Sequence, residues 1–202
     1  MLVDVHHHAI PPVYRDALRG IDPIPGVDYP TWEPDRSLEV MDRNGITAAL
    51  LSITAPGVSF AGPADAPKLA RQVNEYFAEL VAAHPTRFGA FAVLPLPDVA
   101  AAKDELSYAV DQLGLDGVNV LTSYGGEYLG APEFEPLFAE IADRGIVVHV
   151  HPAAPPARDL ATFGLPPSLY EFTFETTRTA VSLLFSGVLD RLPDLRLILS
   201  HA

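Results

Sequence analysis

Short β-branched apolar runs and longer amphipathic segments alternate along this chain, and few architectures satisfy that rhythm. Period-two or continuous apolar character predicts strands ending at the histidines of 6–8, then over 46–53, 88–94, 116–121, 146–151 and 195–201. Helical spacing predicts helices over 35–44, 64–84, 99–113, 132–144 and, for the most part, 168–192. Asn44-Gly45, Gly114 and Gly145 stop three of the helices, and Pro85 closes a fourth. A Pro-rich loop over 9–34 follows the first strand. Strict strand–helix alternation implies a parallel sheet with helical crossovers, and strands apolar on both faces fit one covered by helices. Two folds remain: an open doubly wound sheet and a (β/α)₈ barrel. No glycine-rich fingerprint follows the first strand, which weakens a dinucleotide-binding reading.

The polar residues favour the barrel. Histidines sit at strand C-terminal ends: His6 and His8 on the first strand, His149 and His151 on the fifth, His201 on the sixth. A barrel gathers those ends on one face, where its active sites form. In a strand, residues two apart share a face, so His6 and His8 point together with Asp4 behind them, and His7 points away. Two imidazoles so placed can chelate a divalent metal. An affinity tag would not sit inside an apolar strand and stop at three. His151, at the mouth before Pro152, is the third expected ligand. His149 lies one layer deeper and is expected to support the site at most. His201 is expected to exchange protons near the metal. His84, before Pro85, reads as surface punctuation. The fourth strand has neither lysine nor glutamate to bridge two ions, so a mononuclear site is expected.

Composition bounds the rest. The chain has 202 residues, 49% of them hydrophobic, enough for one globular domain over 1–202 with a sizeable core. Twenty-six acidic against 13 basic side chains, a net charge of −13, argue against nucleic acid or an anionic membrane as partner. An anionic substrate would need a local positive site such as a metal. Without cysteine there is neither a disulfide framework nor a thiolate ligand. The N-terminus shows no signal-peptide pattern and no run is long enough to span a membrane, so the cytoplasm is the expected compartment.

Several motifs in joint order carry a resemblance. Asp4-x-His6-x-His8, Met41-Asp42-x-x-Gly45-Ile46, Pro85-x-Arg87-Phe88 and Leu94-Pro95-Leu96-Pro97 are followed by His151-Pro152. Next come the run from Glu171 to Arg178 and the ending from Pro193-Asp194-Leu195 to Ser200-His201-Ala202. Together they resemble the amidohydrolase superfamily, in its branch of metal-dependent decarboxylases. The resemblance implies a (β/α)₈ TIM-type barrel of the metal-dependent hydrolase type, with one zinc or manganese ion held by His6, His8 and His151. It implies that His201 contacts the metal's water or the substrate. The family's strand-eight aspartate has no counterpart here, since about six strands are present, and a C-terminally truncated barrel is expected. The implied activity is non-oxidative decarboxylation of a small aromatic or unsaturated carboxylic acid. Metal-dependent hydrolysis of an amide, ester or lactone is the alternative, and an inactive homologue that binds a metal or partner is another. A homodimer is left open. Trp32, Tyr29 and Phe60 offer either an aromatic wall for the substrate or ordinary loop packing. Arg178 offers either a partner for a substrate carboxylate or, on its helix, a structural ion pair.

Overall fold

The computed structural model describes residues 1–21, 29–156 and 165–202. The parts of the chain at 22–28, within the expected 9–34 loop, and at 157–164 lie outside the described residues. Six parallel strands form one sheet in sequence order: β1 (Val3–His8), β2 (Ala48–Ser52), β3 (Phe88–Val93), β4 (Gly117–Leu121), β5 (Val147–His151) and β6 (Arg196–Leu199). Each expected strand is present, shortened by one to three residues at one or both ends except at β1. The last stops at Leu199, which leaves His201 in a turn rather than on the strand.

The helices are α1 (Pro12–Ala17), α2 (Pro34–Arg43), α3 (Ala66–Ala83), α4 (Val99–Ser107), α5 (Glu135–Asp143), α6 (Glu171–Phe185) and α7 (Val188–Arg191). Two departures from the sequence reading are local. The expected loop after β1 contains α1, whose Pro12 takes the first helical turn, where a missing N–H costs nothing. The expected single helix over 99–113 ends in a π-helical turn over Tyr108–Gln112. A two-strand hairpin over 123–128, which periodicity cannot register at that length, follows β4.

The sheet is curled. β1 and β5 are four strands apart, so in a flat sheet their axes would be separated by roughly 19 Å. Yet His8 Nε2 on β1 lies 3.1 Å from His151 Nε2 on β5. Only a sheet rolled toward closure allows that contact, which decides for the barrel over the open sheet. Small residues let the interior close: a Cβ on Gly117 would meet the Val147 carbonyl oxygen at 2.6 Å and the Phe91 ring at 2.9 Å. Outside, α3 buries Leu69, Ala70, Val73, Phe77 and Leu80 in the core, and Asn74 bonds both the N–H and the carbonyl of Val93 on β3.

At the two ends of the sheet order, apolar side chains stay exposed: Val3 and Val5 on β1, and Val181, Leu184 and Phe185 on α6. No helix among the described residues is long and apolar enough to cross a membrane.

Candidate metal centre

Parity along β1 holds for the histidines but not for Asp4. The register against β2 runs Asp4 with Ala49 and then His7 with Leu51, so three steps on β1 match two on β2. This bulge puts an extra residue between Asp4 and His7 and re-aims what precedes it. Asp4 therefore does not stand behind His6 and His8. Its Oδ2 lies 3.0 Å from His7 Nδ1, and its Oδ1 accepts the His6 backbone N–H. Burial raises the Asp4 carboxyl's pKa, but the His6 amide and the His7 ring outweigh it and hold the group below its usual value. His7 points away, as expected: its Nε2 sits 2.9 Å from Ser37 Oγ, to which Trp32 Nε1 also donates.

His6 and His8 face each other across the interior with Nε2 atoms 3.0 Å apart, and His151 Nε2 completes the group 3.1 Å from His8. The structure thus brings the three expected ligands together. His151 Nδ1 donates to the Pro152 carbonyl at 2.7 Å, so its proton is on Nδ1 and its Nε2 presents a lone pair. One N–H on His8 could satisfy only one of its two neighbours. A tetrahedral ion bonded at about 2.0–2.1 Å has ligand nitrogens about 3.3–3.4 Å apart. The His6–His8 and His8–His151 separations need to open by only about 0.3 Å to reach that edge. The residues present therefore fit a divalent ion.

The electrostatics keep these rings neutral, as ligation requires. Burial, then the neighbouring His6, pushes His8 down to about 3. Burial, then His8 and His6, pushes His151 well below its ordinary value. His6 is lowered mainly by burial and then by His201, against the pull of Asp4. His149 goes to about 4, by burial, then His6 and His201. An unfolded chain takes up these protons near pH 6.5, while the folded His8, His149 and His151 rings resist until far lower. Between those limits the unfolded state binds more protons, so stability falls as pH falls. In chelator-treated protein we expect this loss to set in below about pH 6.5 and continue toward pH 4, at about 1.4 kcal/mol per unit for each such ring. Urea unfolding across that range measures it, and a flat profile would contradict the buried neutral rings.

His201 is an exposed turn residue with φ of 55°, in the left-handed region that histidine tolerates better than most. Its ring lies 4.9 Å from His6 and 5.3 Å from His151, centre to centre. Ligand atoms of His6, His151 and His201 all fall within 4.8 Å of one another. The preceding residue is pinned from two sides: Ser200 Oγ donates to the Val150 carbonyl, and Thr176 Oγ1 to the Ser200 carbonyl. Phe172, from the first turn of α6, sets its ring edgewise to both His151 and His201. Phe172 has no role legible from the sequence, because nothing in a helical pattern distinguishes a mouth-facing phenylalanine from a core one.

The remaining candidates make contacts with the surrounding protein. Arg178 pairs with Glu171 and Glu175 on its own helix, and Tyr128 donates to Glu175. Tyr29 donates to the Ala55 carbonyl, and Trp32 is committed to Ser37. Phe60 leans on Tyr14, and His84 caps α3 against Phe88.

Comparison with known proteins identifies the family. The amidohydrolase family model matches residues 3–202. A decarboxylase of Aspergillus niger is 44% identical over 98% of this chain and 57% of its own length. A 6-methylsalicylic acid decarboxylase of Aspergillus aculeatus is 41% identical over 100% of this chain and 63% of its own. The crystal structure of a dihydroxybenzoic acid decarboxylase from Polaromonas, with bound manganese and 2-nitroresorcinol, superposes with a TM-score of 0.84 at 28% identity. That match covers 97% of this chain and 64% of the other. The chain thus spans 57–64% of the proteins it matches here. A family match along almost every residue, relatives above 40% identity and a shared curled sheet lead to one conclusion: this chain belongs to the amidohydrolase family.

Proposed function

We propose that the protein is a metal-dependent carboxy-lyase that removes carbon dioxide from a small aromatic carboxylic acid. The observation that carries this reading is the convergence of His6, His8 and His151 Nε2 at 3.0–3.1 Å spacing from two distant strands. The names of the relatives, decarboxylases of aromatic acids, supply the substrate class. His6, His8 and His151 would hold one divalent ion. An all-imidazole donor set suits zinc, and the manganese of the Polaromonas enzyme makes manganese the alternative. When bound, the ion supplies a Lewis acid that neutralises and orients a carboxylate or its neighbouring oxygen. In a chain of net charge −13 an anionic substrate needs that local positive charge.

The chain's own residues do the rest. His201, at the open side of the cluster, holds the proton that takes the place of the departing carboxylate. The bond from the ring carbon to the carboxyl carbon breaks, carbon dioxide leaves, and the ring carbon keeps the electron pair and accepts the proton. Phe172 covers one side of His151 and His201 and presents an aromatic edge to an aromatic substrate. A panel of hydroxylated benzoic acids, assayed for released carbon dioxide beside amide, ester and lactone substrates, tests the reading. We expect metal-dependent carbon dioxide release. Turnover of the hydrolysis substrates alone would replace it with a hydrolase that uses the same three ligands.

A further inference from the structure

His149 does not belong to the three-nitrogen group, yet it is built into the interior more tightly than packing requires. It is fully buried on β5, one strand layer below His151. Its Nδ1 lies 2.8 Å from Asn119 Oδ1, in direct register on β4. The Asn119 amide cannot be turned around, because its Nδ2 donates to the Ile53 carbonyl. Asn119 therefore offers His149 an acceptor, and His149 must carry its proton on Nδ1. Phe91 stacks on the ring at 5.2 Å with only 7° between planes. Tautomer and plane are both fixed. What remains is Nε2, a bare acceptor buried without a partner among the described residues, on a ring whose centre is 5.3 Å from that of His6. An apolar side chain would pack against Phe91 without leaving a buried lone pair unsatisfied.

We infer that His149 is a positioning residue of the metal centre, whose Nε2 accepts a hydrogen bond from one water held on the inner side of the three ligating histidines. A buried water needs two or more polar partners, and the imidazole cluster with its ion supplies the others. Groups placed just outside a metal's ligands tune its affinity by about 10–100-fold. The inference rests on the metal reading above, and its test separates the two.

In metal-free protein, nitrogen-15 NMR of labelled histidine reads the tautomer without an ion. We expect His149 protonated at Nδ1 only, and Asn119→Leu to remove that preference. A proton on His149 Nε2 in the wild type overturns the inference. Manganese titration then reads the centre. His149→Phe, which keeps the stack on Phe91, should weaken manganese binding about 10–100-fold. His149→Gln, which keeps an acceptor oxygen, should recover part of the loss. Unchanged affinity in His149→Phe overturns the inference. So does pulsed EPR showing that His149→Phe removes a directly coordinating nitrogen, since His149 would then be a ligand. If His149→Phe does not fold, the wild-type tautomer and the His149→Gln affinity decide. Wild-type protein that takes up no manganese or zinc refutes the metal reading itself, and the inference with it. A failed His149 result beside normal wild-type binding refutes the inference alone.

Discussion

Replacing His151 with Ala is expected to abolish both metal retention and carbon dioxide release. Its Nε2 is the only one of the three that comes from outside β1, so without it His6 and His8 remain as a two-nitrogen chelate on a single strand. Substitutions in the surroundings of a metal already cost about 10–100-fold in affinity, and losing a ligand costs more. Metal content after dialysis, measured beside thermal unfolding in chelator, separates loss of the ion from loss of the fold. The same measurements on His7→Ala supply the contrast. His7 bonds Asp4 and Ser37 on the other face, so that variant should lose stability rather than metal. Full metal content in His151→Ala would refute the three-histidine centre.

Replacing His201 with Ala is expected to lower turnover by about 10²–10⁴-fold, the usual contribution of a positioned acid or base. Metal content should hardly change. The ring sits on the exposed side of the cluster, and the His6, His8 and His151 nitrogens are grouped without it. A solvent isotope effect on turnover that disappears in the variant would tie the loss to proton transfer. Wild-type activity would remove His201 from the chemistry. Loss of the metal would make it a ligand, a role its distance from His6 and His151 also admits.

The candidate centre was legible in the sequence because alternation in a strand is a strong rule wherever no bulge intervenes. His6 and His8 obey it across a single step. Asp4 fails it because the bulge before His7 inserts a residue, and no composition marks that bulge. His151 could be placed because Pro152 ends its strand, which fixes where the mouth lies. His149 and Asn119 were each visible, but their bond depends on the register between β4 and β5, which a single sequence does not carry. The alternation of elements gave a parallel sheet with helical crossovers, and the histidines at strand C-terminal ends favoured the barrel over the open sheet. Curvature came only from contact between the first and fifth strands. α1 and the hairpin after β4 escaped because each is too short for a period to emerge.

The contact between His8 and His151 spans 143 residues, and this sets an order in time. A ribosome adding about 5–20 residues per second needs about 7–29 s to pass from one to the other. For that interval the first strand, with its three consecutive histidines, is made but has no partner nitrogen from β5. Of the two strands, the one made first thus waits for the one made later to acquire its chemistry. Any ion caught early by His6 and His8 alone is held by half a chelate, free to exchange until the fifth strand arrives.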